Sequence, residues 1–237
     1  MQAIDLFAGI GGFKIACDWL KIDTAQFVEI NPYCQKQLKK HYPSVPIHDD
    51  VKTYHPPSSI DLVIGGSPCQ GNSQAGKKTG LADPRSCLWF EQLRIIQKSN
   101  CTFAIWENPR GAHSQRALQT VLRGLYESGY RFDVEIISAK ELGAPQERQR
   151  IFVTAYSNRF IKATRGEILA SWASQIGSQI EGARTFGVWA SPFSGVYGVA
   201  HGFPERMAGI SALGNAVVPQ CALVPLMRVL YLNSLLN

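Results

Sequence analysis

One of the six cysteines in this 237-residue chain stands where a nucleophile is useful. Cys69 follows Gly65-Gly66-Ser67-Pro68 and precedes Gln70, directly after the apolar run 60–64. In an open α/β sheet, ligands bind beyond the carboxyl ends of the strands. A thiol on a Gly/Pro loop at that edge can reach a substrate, and as a thiolate it can attack an electrophilic carbon. A buried, apolar cysteine is the competing reading, since that is the usual fate of a free thiol. Glu107 follows another apolar run, 103–106, which ends in Trp106. Burial beside an indole raises the pKa of a carboxyl, which can then hold and donate a proton near neutrality. A glutamate that merely caps a helix is the alternative. Gln146-Glu147-Arg148-Gln149-Arg150 leads into a third run, 151–155. Strand alternation puts Arg148 and Arg150 on one face, so both can enter one cleft. Two solvated arginines at a sheet edge are the plainer reading of that pair taken alone.

A second chemistry is written near the N-terminus, in Asp5-Leu6-Phe7-Ala8-Gly9-Ile10-Gly11-Gly12. Glycines at a strand-to-helix turn let backbone approach a ligand at the helix N-terminus. A dinucleotide fingerprint needs a third glycine at position 14, which is Lys14, so the spacing disfavours a pyrophosphate and leaves a nucleoside open. Glu29, 20 residues after Gly9, can accept both hydroxyls of a ribose. A plain structural turn would need neither feature. Gly214-Asn215-Ala216-Val217-Val218-Pro219 reads by itself only as a helix start.

These residues need a scaffold that brings strand ends together, and the apolar pattern supplies one. Strands are expected at 3–7, 25–30, 60–64, 103–106, 132–137 and 151–155, with helices at 13–20, from Pro32, at 115–127 and at 220–235. That alternation predicts an α/β fold with a doubly wound, mostly parallel sheet. After residue 156 the rhythm ends, and 157–205 is rich in Ser, Gly, Ala and isolated aromatics. The expected organisation is a catalytic and cofactor-binding domain over 1–156, a small lobe over 157–205, and a segment 206–237 that returns to the first domain. With 45% apolar and 18% charged residues the chain is not a disordered one. No run approaches the ~18 apolar residues of a membrane span. The six cysteines form no CxxC pair, against a zinc ribbon or a disulfide framework and in keeping with a reducing cytoplasm; no metal is expected. The start of the chain has no basic segment before an apolar run, which argues against a secretory signal. A formal charge of +6 suits a polyanionic partner without requiring one.

Taken together and in order, the motifs resemble the DNA cytosine-5 methyltransferases: DLFAGIGG, the Glu of FVEIN, Asp50, SPCQ, ENP, QERQR and GNAVVP, from Asp5 to Pro219. The resemblance implies a Rossmann-like methyltransferase fold, S-adenosylmethionine as cofactor, and double-stranded DNA as substrate with the target base flipped out. It implies that Cys69 attacks C6 of cytosine and that Glu107 binds N3 and the exocyclic amine. Arg148 and Arg150 would brace that glutamate and contact the flipped ring. On the cofactor side it implies that Phe7 packs on the adenine, Gly9 and Gly11 face the methionine part, Glu29 binds the ribose and Ile30 flanks the adenine. Asp50 would bond the adenine amine with Val51 beside it, and Asn215 would lie near both sites. Asp49 is one residue out of register; Asp50 is preferred because the family pattern is Asp followed by an aliphatic residue. The loop 70–85, with Lys77, Lys78 and Arg85 against Asp83, resembles the one that closes over DNA and suits phosphate contacts. A cytoplasmic enzyme is implied, either beside a cognate restriction endonuclease or as an orphan of phage type.

Three departures stand out. Asn72 replaces the usual aromatic after PCQ, ENP replaces the commoner ENV, and only 49 residues (157–205) occupy the target-recognition position. Each good bidentate base contact is worth ~1–3 kcal/mol of discrimination, so so small a lobe suits a short target. The tRNA-methylating branch of the family carries a Cys-Phe-Thr tripeptide that is missing from this sequence. A non-catalytic module of the same fold would be favoured by loss of Cys69, Glu107 or either arginine, and all four are present. A nicotinamide dehydrogenase is disfavoured by Lys14 and by SPCQ.

Overall fold

A computed structural model of the protein describes residues 1–68, 88–145, 147–163, 212 and 215–236. Cys69, the loop 70–85 with Asn72, and residues 164–205 of the expected lobe lie outside the described residues. The strands are β1 (Gln2–Leu6), β2 (Asp23–Val28), β3 (Ile47–His48), β4 (Leu62–Gly65), β5 (Phe103–Pro109), β6 (Tyr130–Ser138) and β7 (Gln149–Ser157). They form one sheet in the order β3-β2-β1-β4-β5-β7-β6. β1 to β5 run parallel, and β7 enters antiparallel between β5 and β6. The helices are α1 (Gly12–Trp19), α2 (Pro32–His41), α3 (Leu88–Ser99), α4 (Ala112–Glu127), α5 (Asn158–Ala163) and α6 (Pro219–Ser234). This is the doubly wound, mostly parallel α/β arrangement that the strand–helix alternation predicts.

The central strands are covered on both faces, which is why they read as near-continuous apolar runs. Alternation sends Ala3, Leu62, Ile64, Phe103, Ile105 and Phe152 into a core shared with α1 and α6. Their neighbours Ile4, Leu6, Val63, Ala104, Trp106 and Val153 enter a second core under α3 and α4. β5 runs further than expected: Glu107, Asn108 and Pro109 pair with Phe152, Ile151 and Arg150 of β7. Glu107 therefore projects from a strand and not from a turn. α3 and β3 were not expected. The buried stripe of α3 carries Gln92 and Ser99 among Trp89, Ile95 and Ile96, which blurs its apolar period, and two residues of β3 are too few to show one. The first residues of 157–205 complete β7 and form α5, whose Phe160 ring packs 5.2 Å from that of Phe103.

α6 begins on Pro219, where the missing N–H costs nothing, and is buried on nearly all sides. One of its buried side chains is charged. Arg228 is 1% exposed and forms an ion pair with Asp133 of β6, Nε to Oδ2 at 3.0 Å, with a second contact through Nη2. The Tyr156 hydroxyl also bonds to it. Among the described residues no helix is long and apolar enough to cross a membrane.

Removing one partner of a buried pair strands the other charge, whereas replacing both with apolar groups need not destabilise. Asp133→Ala is accordingly expected to lower unfolding free energy by about 3 kcal/mol in urea titrations. The double variant Asp133→Leu, Arg228→Met should regain most of that loss. Equal stability of Asp133→Ala and the parent chain would show that the pair does not hold α6 to the sheet.

Candidate active site

Glu107 leaves β5 on the side of the sheet covered by α1 and α6, and is 6% exposed. Arg150, opposite Pro109 in the neighbouring β7, meets it with Nε 2.7 Å from Oε1, and both side chains are 8% exposed. Arg148 approaches the same carboxyl while its Nη2 donates to the Ala216 carbonyl at 2.6 Å. The structure thus brings Glu107, Arg148 and Arg150 together. Burial pushes the Glu107 carboxyl up to about 7 from its ordinary 4.5, while Arg150 and then Arg148 pull it down. Desolvation outweighs the two cations here. Burial and the nearby Arg150 charge lower the Arg148 pKa.

The stem of the Cys69 loop is fastened to this acid. A Cβ on Gly66 would stand 2.7 Å from Glu107 Oε2, so with any other residue here the carboxyl group must shift from its present place. Ser67 follows: its Oγ accepts from Trp106 Nε1 at 2.9 Å and its carbonyl from Asn108 Nδ2 at 3.2 Å. The residues on either side of Glu107 therefore grip a point two residues before Cys69. Sequence reasoning took GGSP as the Gly/Pro loop that presents Cys69 and missed both contacts; two glycines and a serine directly after a buried strand were the available signal.

The second cluster gathers around the turn after β1. Phe7, Gly9 and Gly11 all have positive φ, at 56°, 56° and 88°. In that region a non-glycine residue such as Phe7 is strained. The Gly9 N–H donates to Glu29 Oε2 at 2.7 Å and the Asn31 N–H to Oε1 at 2.8 Å. Glu29 is buried and lies just past β2, where its own N–H donates to the His48 carbonyl at 2.9 Å. Each carboxylate oxygen retains a lone pair for a hydroxyl. Ile30 beside it is 69% exposed. Asn31 caps α2 by accepting from Tyr33 and Cys34 N–H groups. Asp5 is buried, and neither carboxyl oxygen has a hydrogen-bond partner among the described residues. Burial and then the charge of Glu29 hold its carboxyl well above the usual range.

Asp50 opens a turn, its Oδ1 accepting from the Lys52 N–H at 2.9 Å, whereas the Asp49 side chain is 82% exposed. Val51 is buried beside Leu6 and Val28. Arg94 of α3 braces this segment, donating to the Val51 and Tyr54 carbonyls at 2.8 and 3.0 Å while paired with Glu91. The sequence reading missed Arg94; its i,i+3 spacing from Glu91 was the visible sign. Asn215 is exposed, next to the Ala216 carbonyl that Arg148 holds. Val217 then packs on the start of α1 so closely that a Cβ on Gly12 would overlap its carbonyl oxygen. Gly12 serves that contact rather than a ligand. Cys17, Cys34, Cys101 and Cys221 are buried, and burial raises each thiol's pKa.

Residues 1–181 match the model of the C-5 cytosine-specific DNA methylase family. Type II methyltransferase M.DsaV of Dactylococcopsis salina is 33% identical over 168 residues, 67% of this chain and 46% of that protein. Orphan methyltransferase M.SPRI of Bacillus phage SPR is 29% identical over 177 residues, 68% of this chain and 39% of that protein. The chain thus spans less than half the length of either relative. In fold it is similar to the S. pombe Dnmt2 methyltransferase, with a TM-score of 0.56 and 22% identity over 67% of this chain and 51% of that one.

The raised Glu107 pKa makes stability depend on pH with a definite sign. Between about 4.5 and 7 the folded chain keeps a proton that the unfolded chain has released. That contribution is complete below about 4.5 and is lost as pH rises through about 7. Glu107→Gln removes the titration. The stability of the parent chain relative to this variant should therefore fall by about 2–3 kcal/mol between pH 5 and pH 8. Chemical denaturation at both pH values measures it, and a pH-independent difference would mean that Glu107 stays ionised in the fold.

Proposed function

This chain belongs to the C-5 cytosine-specific DNA methylase family, and from that premise we propose that it methylates C5 of cytosine in double-stranded DNA. The observation that carries the proposal is the fastening of a buried, arginine-paired Glu107 to the stem of the Cys69 loop. C5 of cytosine is a poor nucleophile until the ring is made electron-rich. In the proposal Cys69 Sγ, as thiolate, adds to C6 of a base turned out of the helix. The new C–S bond drives charge toward N3. Glu107, with a pKa near neutral, can hold a proton there and hydrogen-bond the exocyclic amine. Arg150 keeps the carboxyl oriented, and Arg148 links it to the Ala216 backbone. Departure of Cys69 Sγ with loss of the C5 proton would restore the aromatic ring and free the thiolate.

S-adenosylmethionine, when bound, supplies the electrophilic methyl group. The residues present fit it. Asp5 is a buried acid without a hydrogen-bond partner among the described residues, suited to a cationic ligand. Glu29 has oxygens left for ribose hydroxyls, and the turn at Gly9 and Gly11 keeps backbone close. Phe7, Ile30, Asp50, Val51 and Asn215 complete the proposed cofactor residues. Target reading falls in this proposal to the lobe over 157–205. Of its described residues, Arg159 already donates to the Asn100 carbonyl at 2.6 Å, so base contacts are assigned to 164–205. A cognate restriction endonuclease is the implied partner in a type II system, and none in an orphan one; a cytoplasmic site suits either.

DNA carrying 5-fluorocytosine blocks the elimination step and should trap a covalent complex resolved on a denaturing gel. Cys69→Ser should abolish that complex; if it persists undiminished, Cys69 is not the nucleophile. Glu29→Ala should weaken S-adenosylmethionine binding by about 1.5–3 kcal/mol in calorimetry, as loss of a charged acceptor does. An unchanged affinity would leave Glu29 only as the anchor of the Gly9 turn.

A further inference from the structure

α3 turns one polar side chain into an otherwise apolar core. Gln92 is fully buried, with Trp89, Ile95 and Ile96 on the same stripe of the helix. Its Nε2 donates to two carbonyls on two different strands: Gly65, the last residue of β4, at 3.1 Å, and Ile105 of β5 at 3.3 Å. Its Oε1 has no hydrogen-bond partner among the described residues. A buried amide left half satisfied is destabilising, so an apolar side chain would serve the core at least as well. The glutamine must be explained by what its amide holds.

What it holds is the junction of the two active-site segments. β4 leaves the sheet at Gly65 into Gly66-Ser67-Pro68 and then Cys69, and Glu107 lies two residues beyond Ile105. Gly65 is shaped for this contact: a Cβ there would lie 3.0 Å from Gln92 Nε2 and 3.0 Å from Leu6 Cβ. The side chain reaches the strand end because no methyl group stands in the way. The Ser67 contacts tie the loop to β5 beyond the sheet; Gln92 ties the same two strands from the α3 layer, one residue before the loop begins.

We propose that Gln92 is a positioning residue which, by bridging the Gly65 and Ile105 carbonyls, fixes where the Cys69 loop leaves β4 relative to Glu107. The inference rests on the function proposed above. Gln92 touches no reacting atom, so its removal should slow formation of the Cys69–C6 bond without weakening cofactor binding or the fold.

The test compares the whole chain with Gln92→Met and with Ser99→Ala. Ser99 is another buried polar group of α3; its hydroxyl donates to the Ile96 carbonyl of its own helix at 3.2 Å and contacts the Cys101 thiol, with no bond to β4 or β5 among the described residues. Three quantities are read: thermal midpoint, S-adenosylmethionine affinity by calorimetry, and the single-turnover rate of adduct formation with 5-fluorocytosine DNA. Gln92→Met should melt at or above the parent midpoint, bind the cofactor within twofold, and form adduct at least tenfold more slowly. Ser99→Ala should form it within twofold of the parent rate. A Gln92→Met rate within twofold of the parent overturns the assignment. So does a loss of rate accompanied by a matching loss of midpoint and cofactor affinity, which marks a residue of the core alone. Should Gln92→Met not fold, Gln92→Leu takes its place, and failure of both to fold also assigns the residue to the core. A parent chain that forms no adduct sinks the proposed function, and this inference with it.

Discussion

Glu107 is withdrawn from water at the end of β5, and the effective penalty for an isolated buried carboxylate is several kcal/mol. Each neighbour answers some part of that cost. Arg150 supplies charge at 2.7 Å from the adjacent antiparallel strand, a position available only because β7 is inserted next to β5. Gly66 supplies room, since a Cβ there would displace the carboxyl oxygen from its present position. Trp106 and Asn108, pointing to the other side of the strand, hold Ser67 so that the chain above the acid stays in place. The compensation is incomplete, as the upward pKa shows. For a group proposed to hand a proton to a ring nitrogen, incomplete compensation is the useful outcome: a fully stabilised carboxylate would have none to give.

The other carboxylate cluster is built on opposite terms. Glu29 accepts two backbone N–H groups, one from the Gly9 turn and one from Asn31. Both donors are backbone groups, and the carboxylate keeps lone pairs for hydroxyl groups. Asp5, on β1, is buried without such donors among the described residues, and burial holds its carboxyl above the usual range. The two acids, at the ends of neighbouring strands, thus differ in one structural respect, the supply of backbone donors.

Much of this was legible in sequence because the chemistry sits at strand ends, and strand ends are marked by glycine, proline and a change of period. The positions of β1, β4, β5 and β7 along the chain and the residues at their tips follow from such marks. Register was less legible. Nothing local to Glu107-Asn108-Pro109 says that the strand continues through it; the reason is β7, more than forty residues later, which pairs with all three. α3 escaped because Gln92 and Ser99 occupy core positions, and a polar residue in the core is recognisable only once its distant partners are known. Gly12 was read as part of a ligand turn, yet the atoms that require it belong to Val217.

That last contact shows how the two half-sites are joined. The segment 215–218 is remote in sequence from both, yet it touches each. Val217 rests on Gly12 at the start of α1, directly after the Gly9–Gly11 turn, while the preceding Ala216 carbonyl takes the Arg148 guanidinium. α6 then carries the chain back under the sheet, held there by Arg228 and Asp133. A shift of this segment toward or away from α1 moves an arginine beside Glu107 and the floor of the glycine turn at once. The proposed acid and the proposed cofactor turn are therefore mechanically coupled through one short backbone stretch, and the close fit at Gly12 limits how far it can slide.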